Sequence, residues 1–449
     1  MSHESPEQPA QPAQPATSAQ QPTRKRSRRA QPFRSLLALP APALRAPVRL
    51  LPPPAPFAPS GDENAEAEDA TPELLRQRLV ALLREKGITH DAAVERALLT
   101  VPRHLFLPET PLADAYADIA VATHWEDGQA VSSASQPAIV ALMLEQLQLA
   151  QGMRVLEIGA GTGYNAALLT ELVGPTGQVT TIDIDPEIAA EASANLLSAG
   201  YTETHVIAGD GAIGWPKNAP YDRIELSVGA SDIAPAWFDQ LAEGGIITLP
   251  LWLGASDVSV AFRKRGGALV SESLTPCGFM RLRGQEADAD KWAKLPTYGL
   301  LAGARAHEIA ETVARLLTAR PRRRLMRHPD ANAIQALALR HAGFVTLWTE
   351  RPSSGKARRR LRMRNGLYAE GEDGPSLALF GSLFPVLLVF GGEAAERTLL
   401  DEATSMRTHP PMPVEQWRVI AHPQPYDEAP PPGAVRLERR HFVYDVLAN

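Results

Sequence analysis

The chain has 449 residues, with 45 Lys+Arg against 51 Asp+Glu and a net charge of −6, which excludes a basic nucleic-acid coat. Apolar residues make up 44 %, enough for a sizeable core, and a single cysteine, Cys277, excludes a disulfide framework and a cysteine-ligated zinc site. No run of 18 apolar residues is present, so no transmembrane helix is expected, and the reading is a cytoplasmic protein with no metal, membrane or nucleic-acid partner.

Residues 1–70 read as a disordered Pro/Gln/Ala-rich tail, because fourteen of the 40 prolines precede residue 60. Within it, Arg24, Lys25, Arg26, Arg28 and Arg29 form a basic cluster. A twin-arginine signal, a nuclear address, a patch for an acidic partner and a plain solvated tail all compete for it. Order is expected from Thr71, a helix cap followed by Pro72 at the first helical position. Leu75, Leu79, Leu82 and Leu83 then repeat with helical spacing, Gly87 ends that helix, and a second helix covers about Asp91 to Leu99. From Val140 the rhythm becomes strand, helix, strand. Apolar runs at Val155–Ile158, Val179–Ile182, His205–Ile207, Arg223–Val228, Gly245–Leu249 and Val258–Phe262 predict an α/β fold with a doubly wound, Rossmann-like parallel sheet. Such a sheet binds ligands beyond the carboxyl ends of its strands.

The strongest chemical signal sits at the first of those ends. Val155 to Tyr164 reads as a buried strand, a turn with Gly159, Gly161 and Gly163, and a helix start. Glycines there permit a tight turn and close approach of a ligand to the backbone. Glu157 precedes the glycines by two. Asp183 closes the next strand, where an acid accepts hydrogen bonds from ribose hydroxyls. Asp210 and Gly211 follow the third, placed to face an adenine. No lysine follows the glycines, which excludes a Walker P-loop. The variant with Glu157 resembles the S-adenosylmethionine site of class I methyltransferases.

From about Leu75 to Gly284 the sequence resembles the protein L-isoaspartyl (D-aspartyl) O-methyltransferases. The shared stretches include Val101-Pro102-Arg103-His104-Leu105-Phe106, Ala115-Tyr116-Ala117-Asp118 and Ser135-Gln136-Pro137. They continue through the glycine motif, Gly209-Asp210-Gly211 and Cys277-Gly278-Phe279. The resemblance implies a catalytic domain over 71–285, with an N-terminal helical cap and S-adenosylmethionine held by Glu157, Gly159, Gly161, Gly163, Asp183, Asp210 and Gly211. It further implies a peptide carboxylate as methyl acceptor. A carboxylate is already nucleophilic at pH 7 and a sulfonium is a strong electrophile, so in-line positioning can supply most of the rate without a strong base. In the family a serine shortly before the proline contacts that carboxylate. Here Ser132, Ser133 and Ser135 are all candidates, unless one or two of them cap the helix at Pro137. His124, Gln136 and Arg281 are candidate substrate contacts, Arg281 standing where the family commonly has proline.

Residues 286–449 read as a C-terminal α+β accessory domain, with a helix at Ala306–Thr318 and two arginine clusters. Arg322, Arg323, Arg324 and Arg327 form one; Arg358, Arg359, Arg360, Arg362 and Arg364 form the other. They are read as a face that steers an acidic peptide, as a solvated surface, or as a nucleic-acid contact, the last without an accompanying aromatic-basic RNA motif. An extension of this size resembles a branch of the family associated with ribosomally made, modified peptides such as lanthipeptides and graspetides. The expected function is therefore methylation of an Asp side chain in such a peptide. Attack by the next backbone nitrogen then expels methanol, giving a succinimide that water opens to isoaspartate. The alternatives are repair methylation of isoaspartate, by the same chemistry, and a catalytically weak peptide-binding adaptor.

Overall fold

The computed structural model describes residues 71–126, 129–287, 292–295, 299–351, 360–381 and 385–448; the tail with its basic cluster lies outside them. Thr71 Oγ1 accepts the Leu74 amide at 3.3 Å and starts the helix Pro72–Glu85, whose Leu75, Leu79 and Leu83 are buried. Asp91 caps the second helix, Ala92–Thr100, by accepting from Ala93 N at 2.7 Å. Among the described residues no helix is long and apolar enough to cross a membrane, and no cluster of three His, Cys, Asp or Glu could hold a metal.

These helices lean on one face of a ten-stranded sheet. Leu241–Trp252, Tyr221–Leu226, Arg154–Ile158, Gln178–Asp183 and His205–Ala208 lie side by side and parallel. The helices Pro137–Leu147 and Tyr164–Val173 complete the cover on that face. On the other face Trp237, Trp417 and Tyr444 pack among Leu156, Ile224 and Leu249. All six expected strands are present, and the sixth, Asp257–Arg265, runs antiparallel to Leu241–Trp252. A connection of four residues, 253–256, is too short for the crossover that a parallel neighbour requires.

The region expected as a single C-terminal domain divides. Residues 292–408 carry a second, seven-stranded antiparallel sheet. Its order is Trp292–Leu295, Gly299–Ala302, Phe344–Arg351, Arg360–Gly371, Gly374–Phe380, Val386–Gly391 and Arg322–Leu325. The expected helix Ala306–Thr318 covers one face through Ile309 and Val313, and the helices Ala331–Arg340 and Ala394–Thr408 cover the other. Beyond them the chain returns to the first sheet. Arg418–Pro423 pairs with Ala268–Cys277, Ile420 opposite Val270, and Phe442–Leu447 and Ala434–Glu438 add two more strands. These strands occupy an edge that would otherwise present a row of unpaired amides and carbonyls.

Candidate active site

The strand Arg154–Ile158 ends in the glycine turn, and the helix Tyr164–Val173 begins directly after it. Gly159 (φ +98°) and Gly163 (φ +86°) adopt backbone conformations that favour glycine. A Cβ on Gly163 would lie 3.0 Å from the Ala192 carbonyl, so the turn also lets the helix Pro186–Ser198 approach. The Gly161 amide donates to Asp183 Oδ2 at 3.0 Å, and the Asp185 amide donates to Asp183 Oδ1 at 3.1 Å. Two neighbouring strand ends are thereby held at a fixed spacing.

Glu157 does not line the cleft. It is fully buried, and both its oxygens are bonded inside the protein: Thr181 Oγ1 donates at 2.7 Å, Asn165 Nδ2 at 2.8 Å and Ser227 Oγ at 3.1 Å. On the adjacent parallel strand Glu225 stands in register with it, and Asn165 donates to Glu225 as well, at 2.9 Å. Burial raises the pKa of Glu157 to about 7 and of Glu225 to about 8, and the neighbouring carboxyl adds to the rise at Glu225. Gly211 packs beneath the site, where a Cβ would meet Ile158 Cγ2 at 2.4 Å. Asp210 accepts the Ala212 amide at 2.9 Å and the Gln285 amide at 2.8 Å, so it clasps the segment after Leu282.

The hairpin Val121–Glu126 and Gln129–Ala134 supplies the serine loop. Measured from a Cβ built on Gly161, Ser133 O lies at 3.8 Å and Ser132 Oγ at 4.0 Å, so these two serines meet the glycine turn. Ser135 instead offers its carbonyl to the buried Arg103, at 3.0 Å. Arg103 also donates to the Ala115 carbonyl at 2.9 Å and lies 4.7 Å from the Tyr164 ring centre. It ties the helical cap, the serine loop and the glycine helix together, a role that its place in Val101-Pro102-Arg103 could have signalled. The helix at Pro137 is capped by Asp118, whose Oδ1 accepts the Ala138 amide at 2.9 Å, rather than by a serine. Gln136 contributes its carbonyl to the first turn, accepting from Ile139 and Val140. His124 Nε2 pairs with Glu191 Oε2 at 2.9 Å, fastening the hairpin to the helix Pro186–Ser198.

A strap formed by residues 279–286 lies across the carboxyl ends of the parallel strands. Met280 O accepts from Gly229 N at 2.7 Å, Arg283 reaches within 3.9 Å of Asp185 and 3.8 Å of Glu126, and Gln285 meets Asp210. At its start, Ser133 Oγ lies 3.9 Å from Met280 Sδ. Arg281 is held fast instead of standing free for a substrate. Its Nη1 donates to the buried Asp257 at 2.8 Å, and its guanidinium lies 4.6 Å from the Trp252 ring centre and 5.3 Å from that of Trp292.

Arg322 and Arg324 lie on the edge strand farthest from Trp292, six strands or roughly 29 Å away, and pair with Glu393 and Glu396. Arg358 and Arg359 lie outside the described residues, as do the side chains of Arg360 and Arg362.

Residues 74–287 match the family model described as protein-L-isoaspartate(D-aspartate) O-methyltransferase (PCMT). A protein-L-isoaspartate O-methyltransferase of Hyperthermus butylicus is 40 % identical over 219 residues, spanning 47 % of this chain and 89 % of the relative. The chain belongs to the protein-L-isoaspartate O-methyltransferase family. One of the same name from Methanosarcina mazei is 41 % identical over 230 residues, spanning 49 % of this chain and 92 % of the relative. A solved protein-L-isoaspartate O-methyltransferase covers 77 % of this chain and 96 % of its own, at 25 % identity and a TM-score of 0.46. Membership makes the chain an S-adenosylmethionine-dependent carboxyl O-methyltransferase with a class I methyltransferase fold. The donor set fits that cofactor. Asp183 ends the second strand as a ribose diol requires, and the run 159–163 carries no basic side chain for a pyrophosphate. The isoaspartyl names favour the repair reading over the modified-peptide reading expected first. The insert 292–408 lies wholly outside the family match.

Proposed function

We propose that this chain methylates the free carboxylate of isoaspartyl residues in proteins or peptides, with S-adenosylmethionine as donor. The observation that carries this reading is the serine loop held against the glycine turn by Arg103. Asp183 and the glycine turn, which lets a ligand approach the backbone closely, hold the cofactor, which supplies an electrophilic methyl group when bound. Ser132 and Ser133 orient the acceptor oxygen through hydroxyl hydrogen bonds that leave it ionised. The helical cap and the strap shield the cleft from water. The methyl ester then loses methanol to the neighbouring backbone nitrogen, and the succinimide opens to Asp or isoaspartate. An Asp acceptor in a modified peptide is the competing reading that the following test separates.

The test is incubation with S-adenosylmethionine and matched linear and cyclised peptides bearing Asp or isoaspartate, followed by mass spectrometry. Methyl ester on linear isoaspartate, then loss of methanol from the ester to give a succinimide one water lighter than the starting peptide, is expected. Ester only on Asp of the cyclised peptide would replace this reading with the biosynthetic one. Binding of S-adenosylmethionine with no ester on any peptide would leave the adaptor.

A further inference from the structure

The strap and the inserted sheet meet at one cluster. Trp292, on the first strand of the insert, lies 5.8 Å from Trp252 of the catalytic sheet and 4.9 Å from Trp348 of its own. The Arg281 guanidinium sits against both Trp252 and Trp292 while bonded to Asp257. Asp257 also accepts the Phe279 amide at 3.3 Å, so the residues on both sides of Met280 are fixed from the same carboxylate. Met280 is left with little freedom, and its sulfur touches Ser133.

We propose that Trp292 is a positioning residue for the acceptor loop. Acting through Arg281 and Met280, it makes the inserted sheet a determinant of acceptor affinity. Arg281 thereby serves the acceptor without touching it. An arginine suits this place because its flat guanidinium can stack on indole while keeping an in-plane hydrogen bond to a carboxylate; a lysine cannot do both. The proposal deepens the isoaspartate reading and rests on it for its kinetic readout.

The experiment compares the full chain with Trp292→Ala, Trp292→Phe and Arg281→Lys. Leu325→Ser, at the exposed far edge of the same sheet, serves as control. KM and kcat for a linear isoaspartyl peptide, Kd for S-adenosylmethionine, and amide hydrogen exchange over 129–135 are measured. Trp292→Ala should raise KM about tenfold, a displacement-sized effect, with kcat and cofactor Kd within about twofold. It should also speed exchange over 129–135. Arg281→Lys should do the same, Trp292→Phe should restore most of the affinity, and Leu325→Ser should change neither readout. If Trp292→Ala does not fold, Arg281→Lys and Trp292→Phe carry the comparison. Unchanged KM and exchange in a folded Arg281→Lys or Trp292→Ala would overturn the coupling. A wild type that methylates no isoaspartyl peptide would sink the functional reading, while the exchange arm would still decide the coupling.

Discussion

The two sheets differ in what they bury. The central strands of the parallel sheet enclose Glu157, Glu225, Thr181 and Asp183, whereas the inserted sheet encloses Val345, Leu347, Leu377 and Leu379 along its own. Burying carboxyls is costly, and a purely structural sheet does better without them. In the first sheet that cost accompanies ordered loops: Glu157 holds Ser227 and Asn165, and Asp183 holds the Gly161 turn. Among the described residues the second sheet buries no carboxyl, its buried polar side chains being the hydroxyls of Thr346 and Ser376, and its contribution lies at its Trp292 edge. At the glycine turn the buried carboxyls hold loops in place, whereas the inserted sheet holds its strands with apolar packing and hydroxyls.

Three substitutions probe that contrast. The largest effect is expected at Arg103, which serves no carboxylate but feeds two carbonyls beside the serine loop. Arg103→Ala should cost about 3 kcal/mol in denaturant unfolding, because buried acceptors lose their donor; a loss below about 1 kcal/mol would show that the cap and loop hold without it. Next comes Asp183. Asp183→Ala should weaken S-adenosylmethionine binding about 30-fold in calorimetry, in line with the loss of charge-assisted hydrogen bonds, and should lower the unfolding midpoint because the Gly161 and Asp185 amides lose their acceptor. Equal affinity would place the cofactor away from this strand end.

The last of the three concerns pH. Both glutamates are raised by burial, Glu157 to about 7 and Glu225 to about 8, from a usual value of 4.5. The folded chain thus keeps protons that the unfolded chain has lost. Their contribution to stability is complete below about 4.5 and declines as pH climbs toward about 8. Melting temperature should fall across that window, and Glu225→Gln should flatten the fall. An unaltered slope would mean the pair does not titrate there.

Much of the catalytic fold was legible because its signals are local. Apolar runs marked the strands, and the spacing from Gly163 to Asp183 marked two strand ends. Where the reading went astray, the partner lay far along the chain. Glu157 was read toward the ligand because nothing in its neighbourhood reveals Glu225, 68 residues on and side by side in the sheet. The cap of the helix at Pro137 was sought among adjacent serines, and Asp118 supplies it from the preceding loop. Arg281 looked free because Asp257, Trp252 and Trp292 converge on it from three separate strands. The return of 418–447 to the first sheet left no sequence trace, since strand pairing is set by register between distant segments.

That return has a consequence for how the chain can be cut. Strands Ala268–Cys277 and Arg418–Pro423 are direct neighbours, and Ser271 Oγ accepts the Val419 amide at 2.8 Å. The inserted sheet is therefore an excursion between two strands that pair with each other in the first sheet. Stopping translation after the family-length portion would strip three strands from the catalytic sheet and bare Leu269 to water. Removing 292–408 and bridging the gap with a linker would leave the strands of that edge in the chain, so excision spares the catalytic sheet where truncation does not.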